Sequence, residues 1–191
     1  MTVAAYQIAA GNTDHITPEQ FKQNYYQLGG CGESSELIEK LLIMYEGTVE
    51  ATPERIVEVI KECGDSAWYC VRYMKALQGI ATPIVDELDT IHTNEDGVRL
   101  DINKAFIDGV KATILMGKCS DIIKKVVRDN CGRLTIETID NIIFLLMETM
   151  KNLANCSRHL GYYFSEACEM NIAKLASRER RNVIHGSGDN R

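Results

Sequence analysis

Four carboxylates stand in two short spacings, Glu33-Ser-Ser-Glu36 and Glu62-Cys-Gly-Asp65. On a helix, residues three apart share a face. Two helices joined by a short loop pack antiparallel, so ExxE on one and ExxD on the next can bring four acids toward one point. At 100° per residue, Glu58, Glu62, Asp65 and Tyr69 fall within about 60° of one another, apart from the apolar face centred on Cys63 and Ala67. Glu33, Glu36 and Lys40 make a similar stripe beside Leu37, Leu41 and Met44. Like charges held this close raise each other's pKa. A hard divalent cation removes that conflict, and an all-oxygen ligand set suits Mg2+ or Mn2+. Mg2+ in an acidic cradle is usual equipment for hydrolysing a phosphoanhydride. Each motif alone usually marks a solvated helix face; the second motif on the adjacent helix strengthens the case for a metal. Glu39 and Glu58 flank the stripes, as outer partners of the site or as ordinary surface.

A second group of opposite sign lies near the C-terminus. Lys174 and Arg178 are four apart, and Asn171 precedes them by one turn. Successive donors of this kind suit phosphate oxygens. Gly186-Ser187-Gly188 follows, a loop type whose backbone N–H groups can cradle an anion. A basic helix end favoured by the helix dipole would look the same in isolation.

The elements that must position these groups are helical. The three prolines each follow a threonine, at Thr17-Pro18, Thr52-Pro53 and Thr82-Pro83. Threonine at the N-cap with proline in the first turn is a helix start. The first 16 residues carry little pattern and are expected to be extended. Helices are expected over about 18–28, ending at Gly29-Gly30, then about 32–45, stopping at Gly47. The next, from Thr52-Pro53 to near Gly79, has apolar residues at Ile56, Val59, Ile60, Cys63, Ala67, Cys70, Val71 and Met74, the 3.6-residue period. A short helix over about 83–91 and a polar loop over 92–98 follow. Asp101 caps a long helix to about 129, Thr135 caps another to about 160, and a last helix covers about 165–180. No strand is expected, so the fold class is all-α.

Composition agrees with a packed helical domain. The chain has 191 residues, of which 45% are apolar and 25% charged. That excludes disordered, collagen-like and disulfide-dense classes. Its net charge of −6 argues against a general nucleic-acid binder. The charge is uneven, −9 over residues 1–117 and +3 over 118–191. Seven cysteines without a CxxC pair read as reduced thiols of a cytoplasmic protein. Neither a signal peptide nor a run of about 18 apolar residues is present, so no membrane partner is expected.

An internal repeat is visible at an offset of 85 residues. Gly32-Glu33-Ser34-Ser35-Glu36-Leu37-Ile38-Glu39-Lys40 aligns with Gly117-Lys118-Cys119-Ser120-Asp121-Ile122-Ile123-Lys124-Lys125. In the second copy Lys118 replaces Glu33, and the segment opposite Glu62–Asp65 is apolar around Phe144–Met147. The expected organisation is one domain over 1–191. It comprises an acidic repeat at about 18–80, a degenerate repeat at about 101–163, and a phosphate-binding helix and tail at 164–191.

The segments GESSE, ECGDSAWY and NIAKLASR…HGSGDNR together resemble the MazG-like all-α nucleoside triphosphate pyrophosphohydrolases. That group is similar in fold to the all-α dUTPases and to phosphoribosyl-ATP pyrophosphohydrolase. The resemblance covers about residues 20–80 and 110–191. It implies that Glu33, Glu36, Glu62 and Asp65 are the metal ligands. It also implies that Asn171, Lys174 and Arg178, with Arg191 closing the tail, hold the substrate phosphates, and that Tyr69 contacts the base. The implied reaction is Mg2+-dependent cleavage of a nucleoside triphosphate to the monophosphate and pyrophosphate. Water attacks phosphorus while Glu36 or Glu33 takes its proton. The role implied is nucleotide-pool housekeeping; canonical and modified dNTPs, dUTP and dCTP all stay open as substrates. Single-repeat members of the group form oligomers, so either a homo-oligomer or an internal pseudo-dimer fits this chain. The alternative reading is a non-catalytic helical module that binds nucleotides or a protein and keeps the acidic stripe as surface. Trp68, Tyr25 and Tyr26 are expected to pack in the bundle, and His185 is a lesser candidate for phosphate.

Overall fold

The computed structural model describes residues 3–15, 22–77 and 100–181. These form six helices and no strand: α1 (Val3–Asn12), α2 (Lys22–Tyr45), α3 (Pro53–Ala76), α4 (Ile102–Asn130), α5 (Ile136–His159) and α6 (Phe164–Arg180). The fold is an all-helical bundle. The expected helix at 83–91, the loop 92–98, Pro18 and the tail from 182, with His185 and Arg191, lie outside the described residues.

Helix starts follow the capping residues. Thr52 caps α3 through its side chain, with Pro53 in the first turn. Asp101 accepts from the Lys104 N–H at 3.0 Å, and Thr135 accepts from the Thr138 N–H at 3.2 Å. Glycines at positive φ follow the C-termini of α2, α4 and α5, at Gly47, Gly132 and Gly161, and Cys131 beside Gly132 is left-handed as well.

Two expectations need correction. The N-terminal stretch is not extended: α1 is helical. Its sequence, VAAYQIAAGN, is rich in alanine, the best helix former, but apolar on most sides, so no amphipathic period announces it. Nor does Gly29-Gly30 end a helix, because α2 runs unbroken from Lys22 to Tyr45. These glycines are contact points. A Cβ at Gly29 would fall on the Tyr69 ring of α3, and one at Gly30 on the Met116 side chain of α4. Glycine lets three helices approach there, and the neighbours supply the packing that offsets its poor helix propensity.

Helix α3 is the centre of the bundle. It packs against α1, α2, α5 and α6, while α4 packs on α2 and α5. Lys40 meets Glu62 and Gln23 meets the carbonyl of Ala76, so α2 and α3 are antiparallel. Seven consecutive residues of α3, Glu62 through Trp68, are buried. The apolar core gathers around them, with Tyr6, Tyr26, Tyr73, Phe164, Leu37 and Ile60 among its largest members. Trp68 and Tyr26 are core residues, as expected, whereas Tyr25, also expected to pack in the bundle, is exposed. All seven cysteines are free thiols. Among the described residues no helix is long and apolar enough to cross a membrane.

The cap on α5 offers a direct check on these local rules. Thr135→Ala removes one side-chain acceptor at an exposed helix start and should cost about 1 kcal/mol. The urea midpoint should fall with the slope of the transition unchanged.

Candidate metal centre

Burial brings three carboxylates together. Glu33 of α2 and Glu62 and Asp65 of α3 each offer an oxygen, and these atoms lie within 4.8 Å of one another. Glu62 is 2% exposed and Asp65 8%. Glu36, the fourth expected ligand, does not join them. Its side chain is exposed one turn along α2, although its charge still acts on Glu33. Glu39 and Glu58 are exposed.

Two ammonium groups answer the negative charge. Lys40 Nζ donates to Glu62 Oε1 at 2.5 Å, and Lys174 Nζ donates to Asp65 Oδ2. Asn171 Nδ2 donates to Asp65 Oδ1 at 2.7 Å. The charge is still not balanced. Burial, together with Asp65, Glu62 and Glu36, pushes the Glu33 carboxyl up to about 8. Burial also raises Glu62, against the pull of the Lys40 ammonium. The second oxygen of Glu62, Oε2, is buried and has no hydrogen-bond partner among the described residues. A buried carboxylate oxygen left unpaired costs free energy. That orphaned oxygen, beside two more carboxylates, fits a cation: these residues could hold a metal ion, and the hard donor set favours an oxygen-seeking one.

Helix α6 supplies the remaining groups. Asn171 is 3% exposed, and Arg178 is 7% exposed one turn beyond Lys174. The approach of Asn171 depends on Gly64, between the two acids of α3. A Cβ there would strike the backbone carbonyl of Ala167 and come within 3.1 Å of Asn171 Cβ. Gly64 lies inside the ECGD segment and Lys40 on the acidic stripe of α2, and neither position by its type announces its contact. Lys40 follows Glu36 by four residues, a spacing that suggests a pair within α2, whereas its ammonium meets Glu62 of α3.

Tyr69 lies beside the centre. Its hydroxyl is 3.4 Å from that of Tyr25, with the rings 5.8 Å apart, and Trp68 packs edge-on at 5.0 Å. Burial raises its pKa, and the charges of Glu33 and Asp65 add to the effect. Every group named here comes from α2, α3 and α6 of one chain. In the second hairpin Lys118 is exposed and Asp121 pairs with Lys124 and Lys125 on its own helix. Among the described residues, Glu33, Glu62 and Asp65 are the acidic cluster with metal-ligand spacing.

Fold and site thus define a helical bundle with a buried acidic centre. No family model matches the chain, and no solved structure matches it. Over 75 residues it is 37% identical to the Gene 37 protein of Mycobacterium phage L5. The matched stretch is 39% of this chain and 66% of the phage protein, so the chain spans just under two thirds of that relative's length.

Two outcomes test the centre. A divalent cation present at about 100 times its Kd adds about 2.7 kcal/mol of stability. For a domain of this size that raises Tm by roughly 5–10 °C. Thermal melts in chelator and in excess Mg2+ or Mn2+ should show the rise, and Glu62→Gln should abolish it. Gly64→Ala should lower stability by about 1–3 kcal/mol through overpacking. By pushing α6 from α3 it should also remove most of the cation-dependent shift, read in the same melts.

Proposed function

We propose that this protein is a nucleoside triphosphate pyrophosphohydrolase, converting a (deoxy)nucleoside triphosphate to the monophosphate and pyrophosphate with Mg2+ or Mn2+ at the acidic centre. The observation that carries the reading is the buried triad of Glu33, Glu62 and Asp65 with its unpartnered Glu62 oxygen. The sequence resemblance described above supports the same chemistry. So does the arrival of Asn171 and Lys174 at Asp65 from a separate helix.

In this reading Glu33, Glu62 and Asp65 hold the cation. When bound it supplies Lewis-acid neutralisation of phosphate charge and makes water more acidic. The chain's own residues do the rest. Lys40 and Lys174 sit at the rim with side chains 31% and 17% exposed, where their ammonium groups can turn from carboxylate to phosphate oxygens. Arg178, one turn beyond Lys174, extends the positive edge along the phosphate chain. Glu36 is exposed beside Glu33 and serves as the base that takes a proton from the attacking water. Tyr69 and Tyr25 form an aromatic wall against which a base can rest. The donors on α6 stabilise charge that grows on the phosphates as the bond breaks.

Pyrophosphate release from a panel of NTPs and dNTPs, with Mg2+ and with chelator, tests this. At least one substrate should be cleaved, and Glu62→Gln should slow it by about 100-fold or more, the upper end of losses seen when a metal's surroundings are altered. Nucleotide binding with no release from any substrate would overturn the hydrolase reading in favour of a non-catalytic nucleotide-binding module.

A further inference from the structure

Tyr6 belongs to α1, far in sequence from every carboxylate of the centre, and its ring is fully buried. Packing alone would be served by phenylalanine. The hydroxyl instead lies 2.9 Å from the carbonyl oxygen of Gly64 and 2.9 Å from Asn171 Oδ1. Asn171 in turn donates from Nδ2 to Asp65 Oδ1. An amide has two ends of opposite polarity, an acceptor oxygen and a donor NH2. The phenol has one proton for two acceptors at equal distance, the Gly64 carbonyl and Asn171 Oδ1, and shares it between them; its hydrogen bond to Oδ1 leaves the NH2 to face Asp65. Flipped, the amide would set its oxygen against the Asp65 carboxylate, which has no proton to offer it.

We infer that Tyr6 is a positioning residue: it holds the Asn171 amide with its NH2 on Asp65 and thereby sets the affinity of the acidic centre for a divalent cation. The inference rests on reading the triad as a cation site. Groups that orient a metal ligand through hydrogen bonds are worth about 10–100-fold in metal affinity. Burial also raises the Tyr6 pKa well above the ordinary phenol value, which keeps the hydroxyl protonated as a donor. Helix α1 is anchored without this hydroxyl. Gln7 Nε2 donates to the Val71 carbonyl at 3.2 Å, and Trp68 Nε1 donates to Thr13 Oγ1 at 3.3 Å. Arg72 Nε donates to Asp14 at 2.9 Å, and Tyr26 donates to the same carboxylate. Removing the Tyr6 oxygen therefore leaves α1 in place and changes what Asn171 can do.

Mn2+ titration followed by the EPR signal of the free ion tests this in the full chain, with thermal melts in chelator showing which variants are folded. Tyr6→Phe should weaken Mn2+ binding by about tenfold. Gln7→Leu, which loosens α1 elsewhere, should leave Mn2+ affinity unchanged. In an Asn171→Ala background, Tyr6→Phe should add no further loss. Asn171→Leu, which keeps volume but lacks both polar ends, should weaken binding at least as much as Tyr6→Phe; wild-type affinity in Asn171→Leu would break the link through Asn171 and overturn the inference even if Tyr6→Phe does not fold. Wild-type affinity in Tyr6→Phe, an equal loss in Gln7→Leu, or full additivity in the double variant would each overturn the inference. Failure of the wild-type chain to bind Mn2+ is a separate result. It would remove the cation reading and this inference with it.

Discussion

Two carboxylates on one buried turn are the constraint around which this bundle is arranged. Glu62 and Asp65 belong to a stretch of α3 that has helices on every side. Water has little access to them, and Glu33 arrives half-buried from α2 with the same sign. Taking like charges out of water is unfavourable unless positive charge and hydrogen bonds follow them in. The surrounding helices bring both: an ammonium from α2, and an ammonium and an amide from α6. What stays uncompensated is the second oxygen of Glu62 and the raised Glu33 carboxyl, and these residues could hold a metal ion. The centre is thus close to balanced but not satisfied.

Small residues make that arrangement geometrically feasible. Gly29 and Gly30 admit Tyr69 and Met116 against α2, and Gly64 admits the backbone of α6 against α3. Gly109 does the same for Leu41 and Ile38 between α4 and α2. Helix axes can approach only as far as the side chains between them permit. The short reach of an asparagine amide from α6 to a carboxylate on α3 depends on such an approach.

The sequence was legible where local chemistry and burial agree. Threonine and aspartate caps mark α3, α4 and α5, and the 3.6-residue apolar period of α3 is clear because one face meets the core. The meeting of Glu33 with Glu62 and Asp65 follows from two antiparallel helices with acids at i,i+3. Tertiary packing decided the rest. Helix α1 lacks a polar face that could reveal its period, and Gly29-Gly30 looks like a stop until Tyr69 and Met116 are seen lying on it. Glu36 shares the spacing of a ligand but ends exposed, since a face spanning three residues reaches beyond the centre. Tyr6 could not be found from spacing, because its contacts lie 58 and 165 residues away.

That last separation has a consequence for synthesis. The hydrogen bond from Tyr6 to Asn171 spans 165 residues, so the first helix described must wait for the last before its hydroxyl has that partner. Long-range contacts of this kind form late, after local helices and hairpins. On a ribosome, α2 and α3 can pair while α6 has yet to emerge, with Asp65 lacking its amide and one of its ammonium groups. The nascent chain therefore carries its acidic groups for some time as an unfinished, strongly negative cluster. The centre takes its final form only when translation has delivered α6.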